Sequence, residues 1–255
     1  MTLTLESEKA ATKTLINRAN RLHTAALIPL LGGRPFYLAG GALMKEEPND
    51  YDLYPAEDPF DRGEIKRAIV NTPRAKVIFE TGNALTARID DQTIQFCSFS
   101  KPSLEELCDA FDFAHCQAGV LFVLHAGDDG NPASYRADHA YASANWVRAK
   151  LQESTFYTGS EYPLGALLRV FKYAGRGLFT GKSYYDSVFS CLQDLMDRGF
   201  RDRDDFKSQL ESIDLGITDN GNMDWLYGAF DRNGLVKAAA APAHSATDLD
   251  EYAPF

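Results

Sequence analysis

Two aspartates separated by one residue, Asp50 and Asp52, follow shortly after the glycine pair Gly40-Gly41. On a β-strand, residues two apart point to the same side, so these carboxylates would project together. Such a pair repels itself unless a hard divalent cation such as Mg²⁺ neutralises it. The glycines would let backbone N–H groups approach a phosphate closely. The order of these residues predicts a metal–phosphate site; the alternative is a surface turn, helped by Pro48-Asn49, with two solvated aspartates.

The composition is that of an ordinary soluble globular protein of 255 residues, 45% hydrophobic and 24% charged. This length is sufficient for one large domain or two smaller ones. There are 26 basic and 36 acidic residues, which gives a formal net charge of −10. A surface made broadly for nucleic acid usually has a basic excess, so the balance argues against one. The charge balance does not exclude a local basic groove.

The cysteines show neither a CxxC pair nor a zinc-type spacing with the five histidines. We therefore expect reduced, mostly buried thiols in a cytosolic protein. The N-terminus lacks the basic start and apolar run of a signal peptide. No apolar segment approaches the roughly 18 residues that a membrane helix needs. The expected location is the cytoplasm, without membrane association.

Hydrophobic periodicity and turn signals predict alternating helices and strands in the first half of the chain. The predicted helices cover residues 7–31, 60–70 and 104–108, the last with Ser103 as its cap. The predicted strands cover 36–39, 51–54, 75–80, 84–89 and 93–99, and a further apolar extended stretch covers 111–124. Asp90-Asp91-Gln92 suits a hairpin turn. This half is predicted to contain the aspartates on a small mixed β-sheet flanked by helices.

Beyond about residue 136 the pattern changes, because helical spacing dominates and strand signals almost disappear. The predicted helices cover 137–151, 163–179, 184–199 and 203–213. We therefore expect an α+β fold with a head at 1–135, an all-helical domain at 136–237 and a loosely ordered acidic tail at 238–255.

Three cations repeat along one predicted helix. Arg169, Lys172 and Arg176 lie at i, i+3 and i+7, which places them on one helix face. Such a face could meet a triphosphate or an RNA backbone; an exposed face with salt bridges explains the pattern equally well. Lys45, shortly after the glycine pair, has the same two interpretations.

Three segments resemble the nucleotidyltransferase superfamily, which includes DNA polymerase beta, poly(A) polymerases and CCA-adding enzymes. Gly40-Gly41 followed by Asp50-Tyr51-Asp52 is similar to its catalytic signature. Residues 111–118, FDFAHCQA, look like the segment that links head to neck in the tRNA nucleotidyltransferase/poly(A) polymerase branch, and residues 162–176 look like its neck helix. The resemblance covers residues 35–180 and implies a catalytic head followed by a helical neck.

The resemblance implies an enzyme that transfers NMP from an NTP, ATP or CTP, to a hydroxyl acceptor, with release of pyrophosphate. Two Mg²⁺ or Mn²⁺ ions would be held by Asp50 and Asp52, which would be catalytic. The implied acceptor is RNA of the tRNA 3′-end type. With the cations already described, the candidate nucleotide-binding residues are Gly40, Gly41, Lys45, Asp112, Arg169, Lys172 and Arg176.

One departure from the family pattern concerns the third catalytic carboxylate. Gln95 occupies the matching position, and a glutamine can offer an oxygen ligand but neither charge nor basicity. The family segment that selects CTP or ATP has no convincing match in this chain. Two alternatives therefore stay open: a catalytically degenerate nucleotide-binding or regulatory protein, and a transferase acting on a protein or small-molecule acceptor.

Overall fold

Residues 5–127 and 132–211 are described by a computed structural model, and their centre is a seven-stranded mixed sheet. The strand order is β3-β4-β5-β2-β1-β6-β7; β2 and β5 are parallel, and the other neighbours are antiparallel. The strands are β1 Phe36–Ala39, β2 Tyr51–Pro55, β3 Ala75–Glu80, β4 Ala84–Ile89, β5 Gln92–Cys97, β6 Ala118–His125 and β7 Ser134–Ala142. The sheet with its helices confirms the α+β class.

The helices lie before, between and after the strands. Their bounds are α1 Leu5–Ala19, α2 Ile28–Leu31, α3 Arg62–Val70, α4 Leu104–Asp109, α5 Ala144–Leu151, α6 Pro163–Gly175, α7 Gly181–Arg198 and α8 Arg203–Glu211. Ser103 caps α4 by accepting a hydrogen bond from the Glu106 amide at 3.1 Å, as the sequence predicts. Within the described ranges, no helix has the length and apolar character needed to cross a bilayer.

The single helix expected over residues 7–31 is wrong. The chain leaves the helix after Ala19 and makes a 3₁₀ turn at Thr24–Leu27 before α2 begins. The break turns both Leu22 and Leu27 into the core. A continuous helix would keep its backbone hydrogen bonds through this segment. The burial of these two apolar side chains offsets the loss of those bonds.

The two faces of the sheet are covered differently. One face is packed under α1, α2, α3 and α5, whose apolar side chains form the main core with alternate residues of the strands. The other face carries a smaller cluster centred on α4, with Tyr37, Ala39 and Tyr54 from the strands. This second face contains Asp52, because Tyr51 and Leu53 on either side of it point into the main core.

Two predicted segments differ in the structure. The extended stretch 111–124 begins as a 3₁₀ turn at Ala114–Cys116, and β6 starts only at Ala118. The helix expected over 137–151 is wrong in its first part, because Ser134–Ala142 is β7 and α5 begins at Ala144. β7 pairs with β6 from Ser134 to Ala142, so its conformation depends on a partner that periodicity along the segment does not reveal.

The strand β7 also crosses the expected boundary between residues 135 and 136. Its pairing with β6 keeps the chain in the sheet as far as Ala142, and Trp146 and Val147 of α5 then join the main core. Helices α6, α7 and α8 follow without a further strand in the described ranges. The division into a head and a helical domain stays a proposal; the tail at 238–255 lies outside the described residues.

Candidate active site

Strand β2 places Asp52 at the centre of the sheet. Its neighbours in register are Ala39 of β1 and Gln95 of β5. Asp50 comes just before the strand, two residues earlier, and its charge acts on Asp52. Gln95, the register partner of Asp52, also donates a hydrogen bond to Asp50, so the structure brings the two carboxylates close together; their role as a catalytic pair stays a prediction.

Gly40 lets the backbone pass beside the Asp52 carboxylate. Its φ is +90°, in the region that favours glycine, and a Cβ added there would lie 3.5 Å from Asp52 Oδ2. The chain then turns through a 3₁₀ segment at Gly41–Leu43. A side chain at residue 40 would both strain the backbone and reach the carboxylate.

Burial and mutual repulsion shape the electrostatics of the carboxylate pair. The pKa of Asp52 is raised from 3.8 to about 7, first by burial and then by the Asp50 charge, while Lys172 opposes the shift. A buried carboxylate beside a second one is a donor set that a cation stabilises. Among residues 5–127 and 132–211, no group of three or more His, Cys, Asp or Glu side chains is placed to hold a metal ion. Asp50 and Asp52 are the acidic side chains that the structure brings together here, and their role as metal ligands stays a prediction.

Gln95 lies beside both aspartates, at the position where the resemblance places the third acid. Its Nε2 donates a hydrogen bond to Asp50 Oδ2 at 3.3 Å, and it is in register with Asp52. The nearby acids of the β4–β5 turn point elsewhere. Asp90 pairs with Arg74 at 3.2 Å and Asp91 with His23 at 3.4 Å. The amide of Gln95, not a carboxylate, therefore completes the group around Asp50.

The two cations of α6 and Arg176, which follows the helix, have different partners. The Arg169 guanidinium forms an ion pair with Asp112, and both side chains are largely buried. Lys172 lies close enough to the carboxylate pair to lower the pKa of Asp52. Arg176, just after the helix, acts on His115. Residues i to i+7 span roughly 10 Å along a helix. The three cations on one face therefore act on three different groups.

We expect Arg169→Ala to reduce the free energy of unfolding by about 2–4 kcal/mol, because it leaves Asp112 buried without its partner. Burial already raises the pKa of Asp112, and Arg169 opposes that shift. Urea denaturation measures the loss. Lys182→Ala, an exposed change at the start of α7, serves as the control and should cost less than about 0.5 kcal/mol. Equal stability of the two variants would contradict a structural role for the Arg169–Asp112 pair.

His115 is buried at the junction between the 3₁₀ turn Ala114–Cys116 and α6. The 3₁₀ turn replaces the extended conformation that the sequence predicts for this part of residues 111–124. The Nδ1 atom of His115 lies 2.7 Å from Thr155 Oγ1, and its ring packs edge-on against Tyr173. Burial, with the nearby charges of Lys45 and Arg176, lowers its pKa to about 3. His115 is neutral, and Lys45 and Arg176 bring positive charge to this end of the site.

Four further side chains surround Asp52. They are Tyr54, Cys97, Cys116 and Tyr173. Burial is the first cause that raises the pKa of each, so they line the site as neutral groups. Tyr54 could have been found from the sequence, because it lies two residues after Asp52 on the same strand.

A separate groove of about 440 Å³ lies at the start of β2. Asn49 and Tyr51, the two neighbours of Asp50 in the chain, belong to its lining, but neither aspartate of the pair does. Three carboxylates and one guanidinium face it, those of Glu46, Glu47, Asp91 and Arg21. An acidic excess repels a triphosphate, so the α6 side of the aspartates is the better place for one.

Comparisons with known proteins give structural similarity at low identity. No protein-family model matches the sequence, and no curated protein is significantly similar to it. The Thermotoga maritima CCA-adding enzyme complexed with tRNA_CCA is 14% identical, with a TM-score of 0.44, over 90% of this chain and 56% of that chain. A tRNA-processing enzyme in apo form I is 14% identical, with a TM-score of 0.41, over 78% and 49%. A tRNA-processing enzyme complex is 13% identical, with a TM-score of 0.42, over 66% and 45%. The chain spans about half the length of these structures.

Proposed function

We propose that this chain is a nucleotidyltransferase that depends on Mg²⁺ or Mn²⁺ and transfers NMP from an NTP to a hydroxyl acceptor. The observation that supports it best is the half-buried Asp50/Asp52 pair at the start of the central strand β2, with the charge of Lys172 on α6 acting on Asp52. A site with two acids and an opposing cation suits a metal-bound triphosphate, because the metal neutralises the carboxylates and the lysine meets the phosphates. The motif order around the pair supports the same class.

The residues of the site contribute to the proposed reaction in two ways, by their charges and by the space that they leave free. Asp50 and Asp52 would hold the cation, which when bound stabilises the charge of in-line phosphoryl displacement. Gly40 keeps the backbone clear of Asp52, and Lys172 supplies positive charge on the opposite side. In the reaction, the acceptor oxygen would form a bond to the α-phosphorus, the bond to pyrophosphate would break, and the proton of the acceptor hydroxyl would pass to solvent water. ATP and CTP are the nucleotides to test first.

RNA with a tRNA-type 3′ end is the first acceptor to test, on the basis of the motif resemblance. The net charge of −10 favours weighing a protein or small-molecule acceptor beside it. The second candidate function is a nucleotide-binding regulatory protein without turnover. Gln95 is the observation that favours it, because its amide donates to Asp50 where a base would otherwise stand.

A transfer assay separates these functions. The full chain is incubated with Mg²⁺ or Mn²⁺, each α-labelled NTP, and tRNA transcripts that end at, before or after the last three nucleotides. Label in RNA supports the first function. A protein mixture and a metabolite extract are supplied in parallel as acceptors. If the protein binds NTP saturably but labels none of the three kinds of acceptor (RNA, protein or metabolite), the result supports the regulatory function.

We expect Gln95→Glu to raise the affinity of the metal-free protein for Mn²⁺ by about tenfold or more, equivalent to about 1.4 kcal/mol. The change places a third carboxylate beside Asp50 and Asp52 and removes the amide donor. Because three like charges repel, the same variant should be less stable without metal. Titration of free Mn²⁺ by electron paramagnetic resonance measures the affinity.

Thr86→Glu is the matched control for Gln95→Glu. Thr86 is in register with Gln95 on β4, so its side chain lies on the same face but one strand further from Asp52. A similar gain in both variants would indicate a general charge effect and contradict a specific place for Gln95 beside the metal donors. Transfer activity that rises with Gln95→Glu would show that the missing acid limits turnover.

A further inference from the structure

One row of side chains crosses the sheet from the carboxylate pair to the edge strand β3. Asp52 is in register with Gln95 of β5, which is in register with Thr86 of β4. Thr86 is in turn in register with Phe79 of β3, and register partners share one face of a sheet. Because neighbouring strands lie about 4.8 Å apart, three spacings place Phe79 about 14 Å from Asp52. The face that contains Asp52 therefore continues, strand by strand, to Phe79.

A second row on the same face carries two cations. Thr93, two residues before Gln95 on β5, is in register with Arg88 of β4. Arg88 is in register with Lys76 of β3, which puts two positive charges directly opposite each other. Like charges in this arrangement are destabilising, so an anion bound between them would be favourable. Within residues 5–127 and 132–211, no carboxylate forms an ion pair with either cation.

The acidic residue of β3 lies on the other side of the sheet. Glu80 is in register with Leu85 of the main core, and its carboxylate pairs with Lys66 of α3 at 2.8 Å. On the Asp52 side, the polar side chains of β4 and β5 are partly exposed, and Phe79 is 40% exposed. A chain with a net charge of −10 thus has a local surface with cations and an aromatic ring. We use the name β3–β5 face for the surface formed by Lys76, Phe79, Thr86, Arg88 and Thr93.

The side chains of the β3–β5 face suit a single strand of nucleic acid. Cations bind backbone phosphates, and an exposed aromatic ring stacks on a base without selecting its sequence. Thr86 and Arg88 are two residues apart on β4, so the two rows lie about 7 Å apart. One strand can therefore place a base on Phe79 and its backbone along the cations. In a duplex the bases stack on each other, so Phe79 would have no free base to contact.

We infer that the β3–β5 face binds the single-stranded 3′ end of an RNA acceptor and leads it to the carboxylate pair. The inference rests on the proposed function, since it gives that reaction an acceptor and a route to Asp52. The row from Phe79 to Asp52 sets the direction: the 3′-terminal hydroxyl lies at the carboxylates, and nucleotides upstream of it lie on the face. The acceptor then approaches from β5, and the side of α6 with Lys172 stays available to the triphosphate.

Fluorescence anisotropy of a labelled single-stranded RNA, in EDTA and without NTP, tests the face in the full chain. We expect Phe79→Ala to weaken binding about tenfold through loss of base stacking. Arg88→Gln and Lys76→Gln should each reduce the slope of log K against log[salt] by about 0.7, the value for one phosphate contact with a single strand. Circular dichroism confirms that each variant is folded.

Two controls match these variants on the opposite side of the sheet. Val77 lies on the same strand as Phe79 and is 39% exposed, but its register partner Ala87 belongs to the main core. Lys13 is exposed on α1, which covers that other side. Val77→Ala and Lys13→Gln should therefore bind RNA as the parent does. Equal losses in Val77→Ala and Phe79→Ala, or unchanged salt slopes in both cation variants of the face, would overturn the inference.

The binding assay separates this inference from the proposed function, because it needs neither metal nor NTP. RNA binding that depends on the face, in a protein that transfers no label, would support the binding surface and contradict the proposed reaction. Label transferred only to protein or metabolite, with no saturable RNA binding, would overturn the inference and leave the transferase. A dimer that forms without RNA and is lost in Phe79→Ala would assign the face to a second copy and also overturn it.

Discussion

Asp50→Asn and Asp52→Asn should each lower the rate of nucleotidyl transfer by about 10³-fold or more, measured in single turnover with α-labelled NTP. Each change removes one of the two carboxylates proposed to hold the metal, while keeping the size of the side chain. A metal-dependent displacement needs most of its charge stabilisation from the cation that such donors hold. Because the two act as a unit, the double variant should be little worse than either single one.

Asp58→Asn supplies the control for this pair. Asp58 is exposed and lies a few residues beyond β2, so the change alters the net charge equally without touching the site. It should leave the rate unchanged. Full activity in either Asp50→Asn or Asp52→Asn would refute the proposed function, and activity lost equally in all three variants would point to a general effect of charge on acceptor binding.

The core of the site could be predicted because its geometry is local. Asp50 and Asp52 need only the alternation of a strand to share a side, and the alternating Tyr51 and Leu53 mark the opposite, buried side. The position of Gln95 needed one further step, the predicted β4–β5 hairpin. The parallel pairing that brings Gln95 into register with Asp52 confirms that placement.

Features that depend on distant partners could not be predicted. β7 carries alanine, arginine, aspartate and histidine among its aromatic residues, and it is a strand because β6 pairs along its length. Arg169 was assigned to a basic face by its spacing with Lys172. Its partner Asp112 lies 57 residues earlier, so the ion pair emerges only in the folded chain. The helical spacing predicts the face of the helix on which Arg169 lies, but it does not predict the group that Arg169 contacts.

The placement of charge along α6 connects the fold to the proposed chemistry. Arg169 is engaged with Asp112 at the link between β-sheet and helices, whereas Lys172, one turn further, faces the carboxylate pair. The first interaction fixes where the helix lies, and the second depends on that position. A loss of Arg169 should therefore weaken nucleotide binding through displacement of Lys172, in addition to its effect on stability.

Asp52→Asn should also increase the stability of the metal-free protein at neutral pH. The pKa of Asp52 in the folded chain is about 7, against 3.8 for the free side chain, so between these values the folded state holds a proton that the unfolded state has released. Stability from this group is therefore complete below about pH 4 and is lost as the pH rises to 7. A shift of about three pKa units corresponds to about 4 kcal/mol, and partial exposure reduces the expected gain to about 2–3 kcal/mol.

The measurement is the difference in unfolding free energy between Asp52→Asn and the parent in EDTA, from pH 4 to pH 8. Taking the difference removes the opposite effect of His115, whose lowered pKa costs stability as the pH falls below about 6.5. The difference should grow with pH and level off above 7; Asp50→Asn, which removes only the repulsion and not the burial, should gain less.

Mg²⁺ should then stabilise the parent and leave Asp52→Asn almost unchanged, because a cation that binds only the folded carboxylate pair shifts the equilibrium by its own binding energy. If the difference in unfolding free energy does not change across this pH range, the charged form of Asp52 does not destabilise the folded chain. The physical argument for a cation between the two aspartates would then fail.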